Sequence, residues 1–195
     1  MCPEGDAMYE GGDTIVLFQE LAYEDVLPVA WHRLPEPVDP VVVGSYADRN
    51  LRVLQAVDAL DELPPAEKPD ENAPHSADLH RLETKVNLLI EMVGQLLAAS
   101  RPRPAPVAVR FNALGGVWQG VSPYPDPGEQ GIFEVHLRDS VAEPLRLVGR
   151  IAAVGPDGRV KARFLPPGEH VADLIEKLAF RRHRRQVAGT RIPRR

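Results

Sequence analysis

The chain has one cysteine, Cys2, so no intrachain disulfide can form and the composition fits a reducing compartment. No run approaches the ~20 apolar residues of a membrane span. The opening residues lack the basic start and apolar core of a secretion signal. The expectation is a cytoplasmic protein with no membrane partner. Chemistry is equally sparse. No Gly-rich phosphate loop precedes a helix, and Ser122 and Ser140 lack the turn context of a nucleophile. His32, His75, His80, His136, His170 and His183 show no i, i+4 pair and no cysteine neighbour, which excludes the usual zinc patterns. The sequence therefore predicts no catalytic residues, no metal and no enzyme.

Proline is abundant, with 20 residues. It clusters in Leu34–Pro40, Leu63–Pro74, Ser100–Pro106 and Ser122–Pro127, which read as linkers and loops between compact pieces. Charge is split along the chain. Residues 1–74 carry 16 acidic and 4 basic side chains, whereas residues 101–195 carry 17 basic and 9 acidic ones. An acidic front and a basic back predict either attraction between the halves or a basic surface offered to an anionic partner.

The strongest pattern runs from Leu79 to Leu96. Leu79, Leu82, Val86, Leu89, Val93 and Leu96 follow one another at spacings of 3, 4, 3, 4 and 3, which keeps one apolar seam facing a partner helix. No proline interrupts the run, and Gly94 is its one weak helix former. A helix from about Ser76 to Ala99 would be roughly 35 Å long. Ile90, Leu97, Met92 and Leu88 fall outside the a and d positions, where a two-stranded zipper would be polar. They widen the apolar face and predict more than two helices at the junction. The extra neighbours are either more copies of this helix or an earlier one folding back as a hairpin. That earlier helix is expected from Ser45, with Asp48 resembling a capping box, to the Pro64-Pro65 stop. Its stripe is Leu51, Leu54, Val57 and Leu60, broadened by Val53 and Ala56. Ahead of it, residues 1–44 form an acidic segment with two short extended runs, Thr14–Phe18 and Val26–Trp31.

Beyond the spacer at 101–106 the period changes to two. Five strand-like runs follow: Val107–Ala113, Val117–Val121, Gly131–Arg138, Leu145–Val154 and Arg159–Leu165. Gly155-Pro-Asp-Gly158 makes a tight turn between the last two. Such spacing predicts an antiparallel barrel or sandwich. A last helix, with Val171, Leu174, Ile175 and Leu178 on one face, closes it, and Gly189 is a natural stop. The reading divides the chain at 1–44, 45–100 with the heptad helix at 76–99, 101–188, and a basic tail at 189–195.

The strand order, the last helix Asp173-Leu-Ile-Glu-Lys-Leu-Ala-Phe-Arg-Arg-His-Arg-Arg-Gln, and the Asn112-Ala-Leu-Gly-Gly-Val-Trp118 turn resemble the PilZ domain family. The heptad helix ahead of them resembles an atypical, tetramer-forming subgroup of that family. The resemblance implies an α+β fold, with a six-stranded antiparallel β-barrel and C-terminal helix preceded by long helices in a coiled-coil bundle. It also implies a bacterial, non-enzymatic signalling role. Typical members bind cyclic di-GMP through an Arg-x-x-x-Arg stretch just before the first strand and an Asp/Asn-x-Ser-x-x-Gly turn. Guanidinium groups suit guanine edges and phosphates. Here the corresponding residues are Arg101, Arg103 and Asn112. The Arg spacing fails, because Ala105 and Val107 stand where a second arginine is needed, and Leu114 replaces the serine.

The expected function is a homotetrameric scaffold, built through Leu79, Leu82, Val86, Leu89, Ile90, Val93, Leu96 and Leu97. It acts by protein contact in motility or virulence regulation, without strong cyclic di-GMP binding. The alternatives are a cyclic di-GMP receptor of altered geometry, and a nucleic-acid binder using Arg181-Arg-His-Arg-Arg185 with Arg191, Arg194 and Arg195. No aromatic interleaves those arginines and the whole chain is acidic, which disfavours nucleic acid.

Overall fold

The computed structural model describes residues 21–35, 38–61, 76–100 and 102–190. The extended run at Thr14–Phe18, the proline-rich segment before Ser76, Arg101 and the end of the basic tail lie outside the described residues. The elements in order are β1 (Tyr23–Arg33), α1 (Pro40–Asp61), α2 (Ser76–Ser100), β2 (Pro106–Phe111), β3 (Gly115–Gln119), β4 (Gln130–Val135), β5 (Leu145–Val154), β6 (Arg159–Phe164) and α3 (Glu169–Thr190). The six strands close into an antiparallel barrel in the order β1-β2-β3-β6-β5-β4. The fold class is the α+β barrel with helices that the sequence reading expected.

Each of the five strand runs in the second half overlaps a barrel strand, with β2, β3 and β4 starting one or two residues earlier than expected. The sixth comes from the front of the chain. Val26–Trp31 is the middle of β1, an eleven-residue strand inside the segment that sequence reasoning set apart as residues 1–44. β1 pairs with β2 from Tyr23↔Phe111 to Pro28↔Pro106, then with β4 from Val29↔Val135 to Arg33↔Gly131. Pro28 sits where the strand changes partners, a point at which a missing N–H interrupts neither ladder. The barrel is thus assembled from strands on both sides of the two helices.

α1 begins five residues before the expected Ser45. Asp39 is its cap, with Oδ1 accepting the Val41 N–H at 2.8 Å, and Pro40 occupies the first helical position, where its lack of an N–H costs nothing. Ser45 lies inside the helix and turns its hydroxyl to the Val42 carbonyl at 2.8 Å. The buried face of α1 is Asn50, Val53, Leu54 and Val57.

Asn50 explains how α1 is seated. β6 pairs with β5 only as far as Gly149↔Phe164, which leaves the start of β5 without a strand on that side. The Asn50 side chain takes that strand's place: Nδ2 donates to the Arg146 carbonyl at 2.6 Å and Oδ1 accepts the Arg146 N–H at 2.9 Å. Two backbone groups that burial would otherwise strand are satisfied by one amide.

Inside the barrel, Phe133 is wholly buried and lies 5.1–5.8 Å, centroid to centroid, from the rings of Phe111, Trp118 and Phe164. Val135, Leu145, Leu147, Ile151 and Val160 fill the remainder. α3 packs on β1 and α1 through Val171, Ile175, Leu178 and Ala179. Its buried face matches the expected stripe, and its backbone continues helically to Thr190.

Candidate functional site

α2 exposes the apolar face that its sequence pattern encodes. Along the seam, Leu79, Leu82, Leu89 and Leu96 are 58–71% exposed, with Val86 at 45% and Val93 at 51%. Leu88, Ile90 and Met92 are also exposed; the Leu97 side chain lies outside the described residues. At about 100° per residue the seam and its flanks, from Leu88 round to Ile90, cover some 200° of the helix. The opposite flank, with Asn87, Glu91 and Gln95, faces the barrel across a cavity of about 670 Å³. Ile90 stands at the border and also lines that cavity, beside Leu27, Pro28 and Leu137.

The helix is seated on the barrel at one close contact. Gly94 is buried against the 136–141 loop, where a Cβ would stand 2.5 Å from Ser140 Cα and 2.6 Å from its carbonyl oxygen. Arg103 belongs to the same joint. Its guanidinium pairs with the Asp139 carboxylate at 3.0 Å and donates to the carbonyls of Asp139 and Val141 at 3.2 and 3.3 Å. Its side chain is 13% exposed. The spacer carrying Arg103 leads into β2, the second strand of the barrel. The first is β1, and no arginine or lysine occurs before it in residues 1–22.

Asn112 is 4% exposed and shapes the β2–β3 turn: Oδ1 accepts the N–H groups of Leu114 at 2.9 Å and Gly115 at 3.1 Å. The structure thus puts Arg103 in the spacer at the helix joint and Asn112 in the tight β2–β3 turn of the barrel.

The basic stretch of α3 faces the acidic end of α1. Lys177 and Arg181 reach Asp58 at 2.8 and 2.5 Å, and Arg185 reaches Asp61 at 3.4 Å, with Arg138 on the same carboxylate. Arg182 pairs with Asp25 at 2.7 Å. Part of the charge division of the sequence is therefore attraction between the two halves of one chain, at Asp25, Asp58 and Asp61. Around Glu134 a second cluster forms. Arg146 Nε lies 2.9 Å from its carboxylate, and the His136 and His32 rings are 3.6 and 3.8 Å away. The nearby His136 ring pulls the Glu134 carboxyl down to about 2, with Arg146 adding to it against the opposing cost of burial.

Sequence reasoning missed a third feature, the barrel end at which β1 finishes. Trp31 and Trp118 stack there with centroids 6.0 Å apart and planes 27° from parallel. Trp31 Nε1 donates to Glu129 Oε1 at 2.8 Å. With Tyr124 they line a cavity of about 460 Å³. The signal in the sequence was weak: Tyr124 stood out as a loop residue, and nothing local joins it to two tryptophans far apart in the chain. Among the described residues no group of three or more His, Cys, Asp or Glu side chains could hold a metal ion, and no helix is long and apolar enough to cross a membrane.

Residues 51–192 match the family described as "Atypical PilZ domain, cyclic di-GMP receptor". Among solved structures, the chain resembles a pathogenic protein from Xanthomonas campestris, described as a new tetrameric PilZ domain self-assembled via an unusual helical bundle. The two share 28% identity and superpose with a TM-score of 0.62, over 86% of this chain and 90% of that one. Among curated proteins no match was found.

Proposed function

Because the chain belongs to the atypical PilZ domain family, we propose that it is a non-enzymatic bacterial signalling scaffold that homotetramerises through α2 and acts by protein contact in motility or virulence control. The observation that carries this reading is the unbroken apolar face from Leu79 to Leu96, exposed along its whole length in the single chain. A monomer rarely leaves so much contiguous apolar surface in water. Its heptad spacing suits burial against copies of the same helix, and the tetrameric relative with its helical bundle supports that arrangement. In the sequence, Ile90 and Leu97 carry the apolar pattern beyond a two-stranded seam.

Weak or absent cyclic di-GMP binding is the second half of the proposal. The position just before the first strand has no arginine, Arg103 is held by Asp139 and two carbonyls, and Asn112 spends its carbonyl oxygen on the turn. The family description itself favours a second reading, a cyclic di-GMP receptor that uses Arg101, Arg103 and Asn112 in altered geometry. The arginines of α3 are largely held by acidic side chains of the same chain, which lowers the case for nucleic acid.

Light-scattering mass at several concentrations, for the wild type and for Leu89→Asp, tests the assembly. The expected result is four chains for the wild type and one for the variant, and a wild-type monomer at every concentration would overturn the proposal. Calorimetric titration with cyclic di-GMP is expected to give no binding in the micromolar range; micromolar or tighter binding would move the protein to the receptor reading.

A further inference from the structure

We infer that the barrel mouth formed by Trp31, Trp118 and Tyr124, with the Glu129 carboxylate among them, docks an extended, proline-containing segment of a partner protein that carries an arginine or lysine. The mouth is the end of the barrel away from the β2–β3 turn. It is also away from the point where α3 meets the start of β1 through Arg182 and Asp25.

Two of its three rings, Trp31 and Tyr124, lie close against glycines. A Cβ at Gly131 would stand 2.6 Å from the Trp31 indole. One at Gly158 would stand 2.7 Å from the Tyr124 hydroxyl, and one at Gly120 would stand 3.0 Å from the Tyr124 ring. The Trp31 indole is pinned again by its bond to Glu129. Pro104, Pro123 and Pro125 supply further wall. Flat, stiff walls of this kind lose little freedom when they bind. They fit the rings of a polyproline-type segment, which is itself already ordered.

The charge specifies the rest. Glu129 gives one oxygen to Trp31, and its second oxygen keeps its acceptor capacity. A carboxylate beside aromatic faces attracts a basic side chain through both the ion pair and the ring quadrupoles. Arg33, exposed at the rim, can donate to main-chain carbonyls of an extended segment. A phosphate-bearing ligand fits less well, since the carboxylate inside the walls repels it.

This inference rests on the reading of the chain as a protein-contact module, and not on its assembly through α2. The protein's two tryptophans both line the mouth, so intrinsic tryptophan emission reports on this end of the barrel. Dodecapeptides are selected from a random phage library on the full-length chain, and the best binder is synthesised and titrated by that emission. The expected peptides contain proline and at least one arginine or lysine, and they shift the emission on binding. Glu129→Gln keeps the acceptor for Trp31 and removes the charge, so it should weaken binding by about tenfold. Tyr124→Ala should weaken it also, while Leu89→Asp should leave it unchanged whether or not the wild type assembles. Failure to enrich any peptide, enrichment of acidic or proline-free peptides, or binding indifferent to both mouth variants would overturn the inference. So would stronger quenching of the same emission by cyclic di-GMP or an oligonucleotide.

Discussion

Asn50 is the residue whose loss the fold should feel out of proportion to its size. It is 2% exposed, and its amide closes both hydrogen-bonding groups of Arg146 where β5 has no strand beside it. Replacing it with leucine keeps the volume and the helix but leaves a donor and an acceptor buried without partners. That should cost about 2–4 kcal/mol. The measurement is the urea midpoint at unchanged slope, made in the Leu89→Asp background so that assembly does not make stability concentration-dependent. Asn50→Leu within about 0.5 kcal/mol of its parent would mean that water takes over the role of the amide. Arg103 makes the contrasting case: an arginine of the spacer, suspected as a ligand residue, has its guanidinium occupied by a carboxylate and two carbonyls of a loop far along the chain.

At the scale of elements, α2 meets the barrel through Gly94, and the glycine that looked like a flaw in the helix is its point of seating. Gly94→Val would raise helix propensity and still open the joint, because the Cβ position lies 2.5 Å from the Ser140 backbone. Hydrogen exchange should show faster exchange across residues 136–141, with strand protection in the barrel unchanged and the mass by light scattering unaltered. Unchanged exchange in that loop would mean that the helix is not seated there. The sequence made α2, α3 and five strands legible because each carries its own periodicity: heptads, a Val171–Leu178 stripe, and alternation such as Phe133 and Val135. It marked the middle of β1 as the extended run Val26–Trp31 but not its length or its place in the barrel, because its partners β2 and β4 are remote in the chain and the run contains Pro28. Nor did it reveal the start of α1, since Asp39-Pro40 sits in a proline cluster that read as a linker. The mouth was hidden for the same reason as the place of β1, because Trp31 meets Trp118 only once the barrel has closed.

For the molecule as a whole, the consequence is that the barrel is not a separable C-terminal domain. β1 supplies backbone partners to β2 on one side and β4 on the other, so residues 101–195 alone would leave two open strand edges and expose the inner side chains opposite Leu27, Val29 and Trp31. They would also lack Asn50 at the start of β5, and the Asp58 and Asp61 carboxylates that hold Lys177, Arg181 and Arg185 on α3. Open edges flanked by apolar faces favour aggregation over folding. The fragment 101–195 should therefore give a poorly dispersed amide NMR spectrum and no cooperative unfolding transition. The chain 21–195 carrying Leu89→Asp should show both dispersion and a transition. Mixing fragment 101–195 with fragment 21–61, which carries β1 and α1, should recover dispersion, because those two elements contain the missing strand, the Asn50 amide and both carboxylates. Cooperative unfolding of 101–195 by itself would show that five strands and α3 suffice, and that β1 is an addition to the barrel and not a condition of it.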